Sequence, residues 1–128
     1  MRKILIILAF FIFIIAGCGS SSVEKTATDF TQKLYESDTK KVVNMLYLGD
    51  EKPSKTDMDF VYGKIDTLLE ENNKKAKEKG GFKKAEVIKK DIDKNEASVK
   101  IQTTFKDGTT QTHEIDLIKV KNEWKVRI

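Results

Sequence analysis

The stretch E96-A-S-V-K-I-Q-T-T-F105 decides the fold. Ala97, Val99, Ile101, Thr103 and Phe105 alternate with Ser98, Lys100, Gln102 and Thr104. A period of two places the first set on one face and the second on the other. That is a strand with a buried face and a wet face, the pattern of an antiparallel sheet covered on one side. Asp107-Gly108 follows it, and a second alternating run begins at Thr109. Parity sets the loop between them. A two-residue turn would put Val99, Ile101 and Phe105 on the face of Thr110, Glu114 and Asp116, wasting the core side. A three-residue loop, Lys106-Asp107-Gly108, restores the match, with Gly108 in the left-handed position of a bulged hairpin. Ile101 then faces His113, Val99 faces Ile115 and Ala97 faces Leu117.

Working outward, Phe82–Ile92 reads as a weaker strand before this pair, and Glu123–Ile128 as a fourth after it. Asp93-Lys94-Asn95 and Lys121-Asn122 supply the other turns. Short turns make neighbours antiparallel, so the four strands form a meander in chain order. Apolar parity switches at Leu117-Ile118. A bulge there, with a three-residue last loop, would bring Ile118 and Val120 into step with Trp124 and Val126 and bend the sheet.

Before Phe82 the period is helical. Val23, Ala27, Phe30 and Leu34 share one face of a helix over about 23–36, opened by Ser21-x-x-Glu24 as a capping box. Asp38 is a suitable N-cap for a short second helix carrying Val42, Val43, Leu46 and Tyr47. Thr56-x-x-Asp59 starts a third. Its stripe of Met58, Val61, Tyr62, Ile65, Leu68, Leu69 and Ala76 runs to a polar end stopped by Gly80-Gly81. The fold class is therefore α+β, with three N-terminal helices packed in the concave face of a curved four-stranded antiparallel meander.

The first residues carry an address. Arg2 and Lys3 precede an apolar run, Ile4–Ile15, of 12 residues. That suits a signal-peptide core and is shorter than the ~20 residues a spanning helix needs. Ile15-Ala16-Gly17-Cys18 resembles the bacterial lipobox: an aliphatic residue, two small ones, then cysteine. Cys18 is the only cysteine of the chain. A disulfide within the chain needs two, so an exported protein gains nothing structural from it. Residues 1–17 read as a lipoprotein signal peptide, 18–22 as a lipidated tether whose residues Gly19–Ser22 give about 12 Å of reach, and 23–128 as a single domain. Cys18 would tie the domain to a membrane of the cell envelope, the outer membrane facing the periplasm in a Gram-negative host. Without Arg2 and Lys3 the formal charge of +4 falls to about +2, too small for a nucleic-acid partner.

Three helices, a Ser-Asp start to the second, a curved meander and the ending "LIKVKNEWKV" (117–126) together resemble small bacterial lipoproteins of the nuclear transport factor 2-like superfamily. The resemblance implies a cone-shaped fold with a cavity between helices and sheet. It also implies a range of roles, from isomerases and dehydratases to binding and dimerisation modules, so the fold alone does not choose among them.

The chemistry-bearing residues are few. His113 is the only histidine, and a lone histidine does not make a metal site. It could be a cavity base, as enzymes of that superfamily use, or a partly buried residue satisfied by a neighbour. Tyr62 and Asp66, four apart, could meet, but helical geometry turns Asp66 to the polar flank. Trp124 could line a ligand site or plug the core. Phe105 closes the inward row of its strand. Residues 74–90 hold eight lysines against Glu78 and Glu86. That is either a solvated helix end or a dock for anionic headgroups or an acidic partner. No catalytic set, metal site or cofactor motif emerges. The expected function is a membrane-anchored, non-catalytic binding or interaction domain for a small apolar ligand, a peptide or an envelope partner. His113, Tyr62, Phe105 and Trp124 are its candidate contacts. The alternative is a cavity isomerase or hydrolase with His113 as general base. A homodimer through the open sheet face is a further possibility.

Overall fold

The computed structural model describes residues 22–36 and 38–128; Cys18, the leader and Ser21 of the expected capping box lie outside them. Helix α1 spans 22–36 and buries Val23, Ala27, Phe30 and Leu34, the four residues of its apolar stripe. Thr31 is buried with them and satisfies its hydroxyl locally, donating to the Ala27 carbonyl at 2.9 Å.

Helix α2, Thr39–Val43, starts where Asp38 accepts from the Lys41 amide at 3.0 Å. It is shorter than its pattern suggests. Leu46 and Tyr47 leave the helix and lie along the last strand, where the Val126 amide donates to the Met45 carbonyl at 2.8 Å and the Tyr47 amide donates to the Val126 carbonyl at 2.7 Å. Two good ladder bonds to an otherwise open edge outcompete one more helical turn.

Helix α3, Lys55–Glu78, opens two residues earlier than expected. Its capping box is Ser54 with Asp57, not Thr56 with Asp59. Pro53 precedes the cap, where its missing amide costs nothing. Ile65, Leu69 and Ala76 are buried, while Met58, Val61 and Tyr62 pack half-buried against the core. The helix ends as the Gly81 amide returns to the Ala76 carbonyl at 2.7 Å.

The sheet has the order β1-β2-β3-β4, with β1 Phe82–Asp93, β2 Glu96–Phe105, β3 Thr110–Val120 and β4 Glu123–Arg127. Ile101 pairs with His113, Val99 with Ile115 and Ala97 with Leu117, the register demanded by parity. Gly108 sits at φ +91°, where a side chain would be strained. The whole inward row of β2 is buried. The helices cover that face, and their apolar residues join those of β2, β3 and β4 in one core.

The last hairpin corrects the expected bulge. β3 and β4 pair without a register shift, Leu117 with Val126 and Lys119 with Trp124. Lys121 and Asn122, at φ 51° and 67°, make a two-residue turn. Two consecutive positive φ values match the right-handed twist of a hairpin, so no third loop residue is needed. Ile118 and Val120 thus fall on the face opposite Trp124 and Val126. Lys119 takes the inward parity and lays its ammonium 5.9 Å from the Trp124 ring centre. The irregularities that bend the sheet are in β1 instead, between Phe82 and Lys84 and between Val87 and Lys89.

This register can be tested by paired truncations. Leu117 is fully buried, so Leu117→Ala should cost about 2–5 kcal/mol in urea unfolding. Ile118→Ala should cost about 1 kcal/mol or less. Comparable losses at the two positions would restore the bulge.

Candidate functional site

His113 lies in mid-strand on the inner face of β3, half-buried, opposite the fully buried Ile101. Its Nε2 is buried and has no hydrogen-bond partner among the described residues. Neither does the hydroxyl of the fully buried Thr103. Thr103 pairs with Gln111, one inward step from His113, so the two unpaired groups are diagonal neighbours on one face. Burial lowers the His113 pKa below its ordinary value of 6.5. Among the described residues no carboxylate is hydrogen-bonded to the ring, the partner that would orient a histidine base in a nucleophile-activating site.

The other expected contacts do not gather around it. Phe105 is fully buried at one end of β2. There it meets Tyr35 edge-on at 5.6 Å, and the Lys79 ammonium lies 4.9 Å from its ring centre. Tyr35 in turn stacks on Phe82 at 5.2 Å, and burial raises its pKa. Trp124 is 8% exposed and belongs to the core at the opposite end of the sheet. Tyr62 is half-buried, while Asp66 is exposed and accepts a hydrogen bond from the Thr39 hydroxyl, tying α2 to α3. Tyr62 and Asp66 therefore serve separate contacts.

A site that sequence reasoning missed lies on the flank of α3. A groove of about 820 Å³ runs between that flank, Phe30 of α1 and the C-terminal Ile128. Phe60, Leu68 and Ile128, at 65%, 37% and 76% exposure, form its apolar wall. Lys64 stands at the rim with its ammonium 5.3 Å from the Phe60 ring centre. Gly63 lies in the lining, and a Cβ added there would meet nothing within 4 Å. Neither packing nor backbone geometry requires this mid-helix glycine, which costs the helix about 1 kcal/mol relative to alanine. Its effect is to leave the α3 backbone open to whatever occupies the groove. The legible signals were Phe60, an aromatic outside the helical stripe, and Gly63, a breaker inside it. His113, Tyr62, Phe105 and Trp124 do not line this groove. A smaller polar cleft of about 200 Å³ lies between Thr28, Gln32 and Glu36 of α1 and the start of β1.

Among the described residues no group of His, Cys, Asp and Glu could hold a metal ion, and no helix is long and apolar enough to cross a membrane.

The histidine makes a measurable prediction. Its folded pKa lies below the unfolded value, so the unfolded chain takes up a proton that the fold resists. This contribution to stability is complete above about pH 6.5 and is lost as the pH falls below it. The melting temperature should drop between pH 7 and pH 5, and His113→Gln should flatten that part of the profile. Parallel profiles for the two proteins would show that His113 titrates alike folded and unfolded.

No curated protein matches this chain. Among solved structures, a Campylobacter jejuni protein named as a candidate NTF2-like transpeptidase is 33% identical, with a TM-score of 0.74 over 80% of this chain and 94% of that one. A de novo designed NTF2 fold protein, NT-9, is 18% identical with a TM-score of 0.51, covering 84% of this chain and 83% of its own, a likeness of fold alone. Both carry the nuclear transport factor 2-like arrangement of helices on an open antiparallel sheet found here. A family model matches residues 16–127, nearly the whole chain, and so the protein belongs to the family described as domain of unknown function DUF4878.

Proposed function

We propose that this chain is a lipid-anchored, non-catalytic binding domain of the cell envelope, and that an apolar ligand or partner group docks in the α3 groove. The observation that carries the binding reading is the groove itself. Its volume, about 820 Å³, falls in the range of small-molecule sites, and such sites are mostly apolar with a few polar groups at the rim. Phe60 and Leu68 hold apolar surface in water that the core does not use, and such patches recur at interaction sites. The anchor rests on the lipobox-like residues 15–18. Two or three acyl chains would hold the domain stably, since each buried methylene contributes about 0.8 kcal/mol. In a Gram-negative host the outer membrane is the expected surface.

A second reading keeps His113 as the general base of an isomerase or hydrolase. It is favoured by the unpaired His113 Nε2 and Thr103 hydroxyl on one inner face, and by the name of the Campylobacter jejuni relative. That reading requires turnover, for instance of an activated ester, that His113→Ala abolishes.

The binding reading is tested by native mass spectrometry of the protein released gently from its membrane. The N-terminal mass should carry diacylglycerol on Cys18, and a co-purifying apolar ligand should add a second increment. Leu68→Lys should strip the ligand at least tenfold and leave the acylation unchanged. An unmodified Cys18 thiol removes the anchor, and wild-type protein without a retained ligand removes the groove as its site.

A further inference from the structure

The lysine-rich run is not a linear feature once folded. Residues 74–84 cross the end of α3, the Gly80-Gly81 turn and the start of β1, with six lysines and Glu78 as the sole acid. The β2–β3 loop brings Lys106 to the same corner. Its amide donates to the Gly81 carbonyl at 2.8 Å, and the Asp107 amide donates to the Lys79 carbonyl at 3.0 Å. Lys84 pairs with Glu86 at 3.6 Å, and the Lys79 ammonium lies over Phe105. Lys74, Lys75, Lys77, Lys83 and Lys106 are exposed and form no ion pair among the described residues. The α3 dipole accounts for Lys75 and Lys77 in its last turn. It does not account for Lys83 or Lys106, which come from other elements. Against the seven lysines of this corner stand Glu78, Glu86 and Asp107, so it carries as much positive charge as the formal +4 of the whole chain, and the remainder is close to neutral.

Its place relative to the expected anchor narrows the partner. Tyr35, near the end of α1, stacks on Phe82, the residue before Lys83. The other end of α1 is residue 22, about 20 Å away at 1.5 Å per residue. Residues 18–21 add at most about 14 Å of extended chain. A domain tied so closely can lay the corner on the surface that holds Cys18.

We propose that this basic corner binds the anionic headgroups of the bilayer to which Cys18 is attached. This rests on the lipid-anchor reading and adds a second point of contact, about 20 Å from the start of α1, that holds α1 along the membrane. Lysine attraction to an anionic surface is additive and confined to a Debye length. A short tether keeps the corner at high effective concentration near that surface.

The test is amine-reactive labelling of the lipidated full chain in phosphatidylcholine vesicles, with and without phosphatidylglycerol, read lysine by lysine by mass spectrometry. In anionic vesicles Lys75, Lys77, Lys83 and Lys106 should label several-fold more slowly. Lys52 and Lys121, at the far ends of α3 and of the hairpins, should label equally in both. The protection should fade as salt rises above physiological strength. In Lys75→Glu/Lys77→Glu/Lys83→Glu, Lys106 should label alike in both vesicles. Equal rates for the wild type in the two vesicles overturn the proposal, as does protection that appears only in native membranes, which would assign the corner to an acidic protein. The N-terminal peptide of the same digest reports whether Cys18 is acylated. Slow labelling in anionic vesicles with a bare thiol would keep the headgroup contact and remove the anchor.

Discussion

The inward row of β2 is the constraint on which the rest depends. Ala97, Val99, Ile101, Thr103 and Phe105 are all buried, so a slip of one residue would expose five core positions at once and bury Lys100 and Gln102. That penalty holds β3 in register through the Lys106–Gly108 loop, and β3 in turn holds β4. The helices have one apolar face to cover, and α1 and α3 each bring an apolar stripe to it. Val42 and Val43 of the short α2 close the same core before the chain turns along β4.

Most of this was legible because the signals are local. Parity alone picks the three-residue loop after Phe105, and the spacing of Val23, Ala27, Phe30 and Leu34 picks the buried face of α1. Three features were not legible, each for a tertiary reason. Leu46 has helical spacing with Val42 and Val43, but the open edge of β4 offers its neighbours two backbone bonds. Leu117 and Ile118 are both apolar, so parity is ambiguous there. The decision falls to Lys121 and Asn122, whose positive φ values let a tight turn form with residues that do not advertise it as Asn-Gly would. Lys119 then reads as an outward residue, although its stem and ammonium cover Trp124.

The candidate site was less legible than the fold, and the reason is physical. Sequence patterns report what is buried, and Phe105 and Trp124 stood out because they share the core's periodicity. The structure gives them core roles, with no shared cavity between them. The α3 groove is made by residues that break the pattern, Phe60 and Gly63, together with Phe30 from α1 and Ile128 from the chain end. A concavity between elements distant in sequence has no periodicity to reveal it. Thr103 is the converse case. It fits the inward parity, so it reads as core, yet its hydroxyl is left without a partner beside His113. Buried polar groups are nearly always paired, which makes this the one place in the sheet where the packing rule and the polar rule disagree.

Apart from Lys64 at the groove's rim, the apolar surface and the concentrated positive charge occupy different stretches of α3. The groove lies along residues 59–71 and the basic corner begins at Lys74, so one helix presents an apolar flank and then a charged end. The two surfaces call for different physics. The groove gains from excluding water and is indifferent to salt, whereas the corner acts at a distance and is screened by it. The long polar end of α3 adds little to the core beyond Ala76. It does bring Lys74, Lys75 and Lys77 to the level of the Gly80-Gly81 turn, where β1 and the β2–β3 loop can add to them. A helix that served only the core could have ended near Leu69, its last large buried residue. The extra turns carry the chain to the Gly80-Gly81 turn, from which Phe82 enters β1 opposite Phe105, and they bring the lysines to the same place.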